Sequence, residues 1–166
     1  MGGAIATGLI KSGAVAAESI SVADRKESIL EKFHKLGVNT FHDNLDAIKG
    51  SDLVIVAVKP YHIESVISEI KTGLTSEKIL ISIVAGVGIN ELGEMVGIEM
   101  PIFRVMPNTA IALQESLTCI SANQNTENHK AYVMELLDKL GKTIEIPEEL
   151  MAAATVLSSC GIAYAL

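Results

Sequence analysis

Two apolar runs, LVIVAV at residues 53–58 and ILISIV at residues 79–84, constrain the fold of this chain more than any other feature. Both are rich in β-branched residues, and their lack of polar alternation is typical of strands buried on both faces of a parallel sheet. Amphipathic segments with helical spacing separate these runs from shorter apolar ones. This alternation predicts βαβ units around a mostly parallel sheet, and therefore a doubly wound α/β fold.

The shorter segments predict the remaining elements. Further strands are predicted at residues 20–24, 38–41, 101–106, 117–122 and 142–147. Helices are predicted at residues 1–11, 26–36 and 62–70, after a cap near Asn90, and from a cap at Thr126 to Leu140. After Pro147 the chain becomes Ala-rich and apolar on nearly all sides, which predicts a helix that needs a further surface to bury it. A domain boundary is therefore expected near residues 146–149.

Composition and charge exclude several classes of protein. The 166 residues suffice for one ordinary domain with a short appendage. Twenty acidic residues against 13 basic ones, without a basic block, argue against a nucleic-acid partner. The apolar runs fall short of the roughly 18 residues that cross a bilayer, so we expect no membrane span. Cys119 and Cys160 lack metal-ligand spacing, and we recognise no secretory leader, so we expect a cytoplasmic protein without a metal.

The opening MGGAIATGLIKSG has the glycine pattern of a phosphate-binding turn. In dinucleotide-binding folds the first strand ends in G-x-G-x-x-G, where the third glycine allows close packing of helix on strand. Gly2 stands in the place of that third glycine, although this stretch alone is more typical of a frayed N-terminus rich in glycine.

Small, amide and charged residues follow successive predicted strands. Asp24-Arg25, AVKP at 57–60, VAGV at 84–87 and RVMPN at 104–108 all fall at or just beyond carboxyl ends of strands. Open parallel sheets bind ligands at this edge. An acidic residue there accepts from a ribose hydroxyl, and a basic one pairs with a 2′-phosphate. Asn108 either contributes to such a site or forms an Asx turn after Pro107.

Taken in order, these segments resemble pyrroline-5-carboxylate reductase, the last enzyme of proline biosynthesis. The resemblance rests on ISVADR, HDNLDAIKGSDLVIVAVKP, ISIVAGV, PIFRVMPNTA and LSSCGIAYAL, and it covers essentially the whole chain. It implies an N-terminal Rossmann-like domain, here residues 1–147, followed at residues 148–166 by the first helix of an all-helical domain through which subunits dimerise and often assemble further.

The resemblance also implies site residues. Those expected to bind the nicotinamide cofactor are Gly2, Asp24, Arg25, Asn44, Ala57, Val58, Lys59, Pro60, Val84, Ala85 and Asn108. Cys160 and Gly161 are expected near the substrate carboxylate, within SSCGIAY, where the family has SGSGPAY. Ser159, Cys160 and Ile162 depart from that pattern, so the substrate contacts at those positions differ from the family's.

Two segments of the family pattern are missing from this chain. We expect that the first strand and the first two glycines are absent, that the strand would lie between those at 20–24 and 53–58, and that the chain stops just inside the helical domain. An unpaired strand edge is costly, so we expect this length of chain to be unstable by itself.

The reaction implied is hydride transfer from a reduced nicotinamide to a cyclic imine, which gives proline. Such chemistry asks mainly for positioning, and no catalytic side chain is identified in these residues. Arg25 favours NADPH and Asp24 favours NADH; the expectation is NADPH. Other reductases of the 6-phosphogluconate and prephenate dehydrogenase-like superfamily, or an inactive nucleotide-binding fragment, are the alternatives.

Overall fold

A computed structural model describes residues 1–160, and of residues 159 and 160 only the backbone. The strands are β1 Ser21–Ala23, β2 Asn39–Phe41, β3 Leu53–Val56, β4 Ile79–Ser82, β5 Ile102–Met106, β6 Ser116–Ala122 and β7 Gly141–Glu145. The α-helices are α1 Gly2–Lys11, α2 Glu27–His34, α3 Asn44–Ile48, α4 Ile63–Ile70, α5 Ile89–Val96, α6 Lys130–Asp138 and α7 Met151–Thr155. A π-helical turn, Val156–Cys160, continues α7.

The strands form two sheets. Five of them lie in the order β3-β4-β5-β6-β7, and β1 pairs with β2 in a separate parallel pair. All neighbours in the larger sheet are parallel except β5 and β6. The Rossmann-like, mostly parallel sheet predicted from the apolar runs is thereby confirmed.

Helices cover the larger sheet on both faces. On one face α4 and α5 pack against alternate strand residues, with Ile67, Leu80 and Leu92 inaccessible to solvent. On the other face α6 packs on Ile81 and Phe103, which are equally buried. The β4 strand is buried at all four positions, as its apolar run predicts.

The β3 strand is less buried than its sequence predicts. Val54 and Val56 are buried, whereas Leu53 and Ile55 on the opposite face are only partly so. The reason is that β3 is the last strand of its sheet and has no strand on its outer side in the described part of the chain. An apolar run indicates a strand suited to burial on both faces, but the burial observed depends on which neighbouring elements cover it.

A cleft of about 1040 Å³ is lined by the outer strands of both sheets. Residues 21–23 of β1 and the side chains of Leu53 and Ile55 line it together with Ile5 and Leu9 of α1. Neither β1 nor β3 has a strand partner on its second edge within residues 1–160. The sheet is therefore interrupted between β1 and β3, where the resemblance places a further strand.

Two predicted helix caps are wrong. The cap position of α5 is Gly88 rather than Asn90, and α6 begins after His129 rather than at Thr126. Thr126 instead ends a short 3₁₀ turn and donates its hydroxyl to the Asn123 carbonyl at 2.6 Å. The sequence analysis also missed α3, although Asp43 caps it by accepting from the Asp46 amide at 2.9 Å.

None of the helices within residues 1–160 is both long and apolar enough to cross a membrane.

Candidate functional site

Three loops follow β3, β4 and β5 at one edge of the larger sheet, because these strands are parallel; β3 and β4 end in register, and β5 runs beyond them to Met106. In the register of the sheet, Val56 lies opposite Ser82, and Ser82 lies opposite Arg104. The segments that follow are residues 57–60, residues 83–88 and residues 107–108. The structure therefore brings the predicted strand-end motifs AVKP, VAGV and MPN together, as the sequence order requires.

The N-terminus of α1 is pressed against the first of these loops. A Cβ atom added at Gly2 would lie 2.7 Å from the Cβ of Ala57, closer than real Cβ contacts allow. Glycine is thus required for this approach of helix to strand, which is the role predicted for Gly2. No side chain in the described residues caps the helix, so its first backbone amides are without a side-chain acceptor at the positive end of the helix dipole.

Exposure differs among the residues of the first two loops. Ala57, Lys59 and Pro60 are exposed, and Val58 is half-buried. In the second loop Val84 is buried and Ala85 is exposed. These loops therefore present main chain and small side chains, with Lys59 as the one long cation.

Backbone contacts hold the second loop against the sheet. The Ile83 amide donates to the Val56 carbonyl at 3.1 Å, and the Val84 amide donates to the buried Ser82 hydroxyl at 3.3 Å. Gly86 follows with a φ of +80°, a left-handed turn that favours glycine. The chain thereby reverses between β4 and α5 while Ala85 stays at the surface.

The Asn108 side chain is buried and fully engaged. Its Oδ1 accepts from the Ala110 amide at 3.1 Å, which is the Asx turn anticipated as one alternative. Its Nδ2 donates to the Ser158 carbonyl at 3.2 Å, and its backbone amide donates to the Ser116 hydroxyl at 3.2 Å. Asn108 therefore joins the end of β5 to the start of β6 and to the turn after α7.

Sequence reasoning missed the hydroxyls that hold these loops. Ser82, Ser116 and Thr118 are buried, and the Ser116 and Thr118 hydroxyls lie 3.0 Å apart. Buried polar groups are normally hydrogen-bonded, so a hydroxyl inside an apolar strand signals a contact with nearby main chain. That signal was present in the sequence, where Ser82 is the only polar residue of ILISIV.

The predicted ribose-binding residues lie at the matching edge of the smaller sheet. The Asp24 carboxylate accepts from the Lys26 amide at 2.8 Å, at the start of α2. Asn44 begins α3 and donates to the Glu69 carboxylate at 3.0 Å. Arg25 is exposed, and no hydrogen bond or ion pair within residues 1–160 involves it.

Three of the eleven predicted cofactor residues line the cleft, and the other eight lie outside its lining. Gly2, Asp24 and Ala57 all line it, so the helix N-terminus lies between the ends of β1 and β3. Of the predicted substrate residues, Gly161 lies outside the described residues, as does the side chain of Cys160. Among the residues that are described, no three His, Cys, Asp or Glu side chains are grouped so as to hold a metal ion.

Known proteins share this arrangement. The family model described as NADP oxidoreductase coenzyme F420-dependent matches residues 1–86. A pyrroline-5-carboxylate reductase of Methanosarcina acetivorans is 38% identical over 99% of this chain and 62% of its own length. A crystal structure of the Plasmodium falciparum pyrroline carboxylate reductase with NADP bound superposes with a TM-score of 0.87 at 34% identity, over 99% of this chain and 61% of that one. The Coxiella burnetii pyrroline-5-carboxylate reductase structure gives 0.90 at 30% identity, over 98% and 61%.

This chain thus spans about three fifths of the length of these relatives. The family match covers more than half of the chain and includes α1, β1 and the loop after β3, which form the glycine contact and the cleft mouth described above. The chain therefore belongs to the family described as NADP oxidoreductase coenzyme F420-dependent, and it is similar to pyrroline-5-carboxylate reductases along its whole length.

Proposed function

We propose that this protein is a pyrroline-5-carboxylate reductase, which reduces 1-pyrroline-5-carboxylate to L-proline with NADPH. The observation that carries the proposal is the convergence of three strand-end loops with an uncapped helix N-terminus held against the first of them by Gly2. Such an edge suits a dinucleotide, since backbone amides at a helix N-terminus bind pyrophosphate. The similarity to reductases of this name supports the substrate.

The residues present fit a nicotinamide dinucleotide. At Gly2 a side chain would fill the space in which the helix approaches Ala57, so the helix amides can come close to the ligand only with glycine there. We assign the pyrophosphate to the first turn of α1 and the nicotinamide side to residues 57–60, Val84 and Ala85. Asn108 acts by shaping the end of β5, because both of its side-chain polar atoms are engaged within the chain.

When bound, the nicotinamide supplies the hydride that reduces the imine carbon. The chain's own contribution is to fix one face of the ring and to exclude water, which is positioning rather than acid-base chemistry. The buried Ser82 hydroxyl and the Val56 carbonyl hold the 83–88 loop in place for this task. Cys160 and Gly161 remain proposed substrate residues.

Arg25 supports NADPH over NADH. Asp24 uses its carboxylate on the Lys26 amide, whereas Arg25 is exposed beside it and can pair with a 2′-phosphate. We expect Arg25→Ala to weaken NADPH binding about tenfold, as loss of one charge-assisted contact does, and to leave NADH binding nearly unchanged. Lys32→Ala on the exposed side of α2 removes the same charge and is the matched control.

The test of the function is the oxidation of NADPH and NADH by the protein as expressed from its own gene, with 1-pyrroline-5-carboxylate supplied and proline measured. We expect proline in step with NADPH consumed. Consumption of neither cofactor would overturn the proposal, and faster turnover with NADH would overturn the cofactor assignment alone.

We also propose that residues 1–147 form the nucleotide-binding domain, that residues 148–166 begin a helical dimerisation domain, and that the protein is a cytoplasmic homo-oligomer. Exposed apolar side chains near the end of the described chain support the assembly, since Leu150, Val156 and Leu157 are 50%, 57% and 76% accessible. Light scattering on the protein as expressed from its gene tests the assembly, and a monomer would contradict it.

A further inference from the structure

The Glu148 carboxylate joins three segments that are distant in the sequence. Its Oε1 accepts from the backbone amide of Ile89, the first residue of α5, at 2.7 Å. The same oxygen accepts from Nη1 of Arg104, in the middle of β5, at 3.1 Å. Glu148 itself stands just before α7, in the segment that leads away from the nucleotide-binding sheet.

This contact replaces the cap that α5 lacks. Gly88 occupies the cap position and has no side chain to accept from the first helical amides. A negative oxygen at this helix end satisfies one of those amides and suits the helix dipole. Because the 83–88 loop leads directly into this amide, the junction of loop and helix is held by a group 59 positions further along the chain than Ile89.

Arg104, which lies in β5, holds the Glu148 carboxylate in place. Its side chain is only 13% exposed, against 32% for Glu148, so the pair is shielded on the arginine side. Within the described residues Glu148 is the carboxylate that pairs with this guanidinium. The buried Nε atom of Arg104 has no hydrogen-bond partner there, so the contact with Glu148 is the polar contact of the arginine side chain. A charge that is largely removed from water needs such a partner.

The far end of the same segment is tied to the next loop. Asn108 donates to the Ser158 carbonyl, while Met151 packs with Met106 and Cys119 beneath α7. Residues 148–158 are therefore held at one end by the loop after β4 and at the other by the loop after β5. A shift of this segment moves both loops.

We propose that Glu148 is a positioning residue, which fixes the 83–88 loop relative to the 148–158 segment so that the nicotinamide and the substrate are held in the geometry for hydride transfer. This proposal rests on the proposed reductase function. It assigns Glu148 no contact with cofactor or substrate, and its effect passes through the Ile89 amide and Arg104.

Kinetics of the protein as expressed from its gene provide the first test. We expect Glu148→Ala to lower kcat about tenfold to a hundredfold, the range that follows a small misplacement of reacting groups, while the Kd for NADPH changes less than about threefold. Glu148→Gln keeps an oxygen for the Ile89 amide but removes the charge that compensates Arg104, so it should recover only part of kcat. The exposed neighbour Glu149, changed to Ala, is the matched control and should leave kcat unaltered.

A second measurement separates positioning from loss of stability. Leu137→Ala, in the core beneath α6, destabilises the fold away from this contact and should leave kcat unaltered at temperatures where the variant stays folded. Amide exchange of Ile89, followed by NMR, should accelerate in Glu148→Ala and stay slow in Glu149→Ala.

The outcomes are distinct. Faster exchange at Ile89 with an unchanged kcat would make Glu148 a structural cap and overturn the proposal, and so would an equal loss of kcat in Leu137→Ala. Unchanged exchange would show that the contact does not hold the loop, which also overturns it. A wild-type protein that does not oxidise NADPH would refute the reductase function itself, whatever the exchange rates.

Discussion

The two sheets of this fold differ in how they are stabilised. The five-stranded sheet has helices on both faces, and its strands β4 and β5 contain residues such as Leu80, Ile81 and Phe103 that solvent does not reach. The two-stranded sheet has no fully buried strand residue, and it packs against a small core formed by Ala6 of α1, Phe33 of α2 and Val38, which directly precedes β2. The larger sheet is stabilised by buried cores on both of its faces, whereas the smaller one has a single small core and borders an open cleft.

The largest expected effect is on the stability of the chain, and it arises from the cleft. Because β1 and β3 both leave edge amides without strand partners in the described residues, we expect the 166-residue chain made alone to unfold without cooperativity or to associate through these edges. These amides border an open cleft and can hydrogen-bond water, so the loss of stability comes from apolar side chains of β3 that stay partly exposed and from association through the free edges. Sedimentation and thermal unfolding test this, and cooperative unfolding of a soluble monomer would contradict it.

A matched pair of substitutions compares the two cores, in any form of the protein that unfolds cooperatively. Leu80→Ala removes a side chain buried in the large core and should lower the free energy of unfolding by about 2–5 kcal/mol. Val22→Ala in β1 acts on a half-buried strand and should cost less than about 1.5 kcal/mol. Urea unfolding measures both, and equal losses would show that the sheets are equally important to stability.

The contact of α1 with β3 joins the two halves, and it can be tested by paired changes. Gly2→Ala places a Cβ against Ala57 and should cost about 1–3 kcal/mol by overpacking, with weaker NADPH binding. The double variant Gly2→Ala, Ala57→Gly lacks the Ala57 Cβ that the new side chain would contact, so it should bind NADPH as the wild type does. Gly3→Ala is the control for the free energy of unfolding alone, since its Cβ would meet only the end of the Phe33 ring at 3.4 Å. Failure of the double variant to recover would contradict the contact.

The smallest expected effect is on the reactivity of the Cys119 thiol, which packs against Met151 of α7. Burial raises the pKa of Cys119 above its ordinary value, so the thiol stays protonated at neutral pH. Its stabilising contribution is complete below the ordinary thiol pKa and is lost as pH rises through the raised one. In a Cys160→Ser background, iodoacetamide should modify Cys119 slowly at neutral pH and faster in urea. Rapid modification of the native protein would show that α7 does not stay docked.

Much of the site's scaffold could be predicted from local patterns. The apolar runs located β3, β4 and β5, and because parallel strands end at a shared edge, their order alone placed AVKP, VAGV and MPN together. Gly2 was identified from glycine spacing, and its close approach to Ala57 supplies the physical reason. By contrast, the predicted caps at Asn90 and Thr126 are wrong, because caps depend on which groups reach the helix end and not only on the adjacent residues.

The sequence by itself determined the α/β class, the parallel order of the central strands and the edge at which a dinucleotide is expected, since each of these follows from periodicity and turn residues within short segments. Only the tertiary structure decided that Glu148 caps a helix 59 positions earlier and that both side-chain polar atoms of Asn108 are hydrogen-bonded within the chain. These features depend on contacts between segments far apart in the chain, for which local spacing carries no signal.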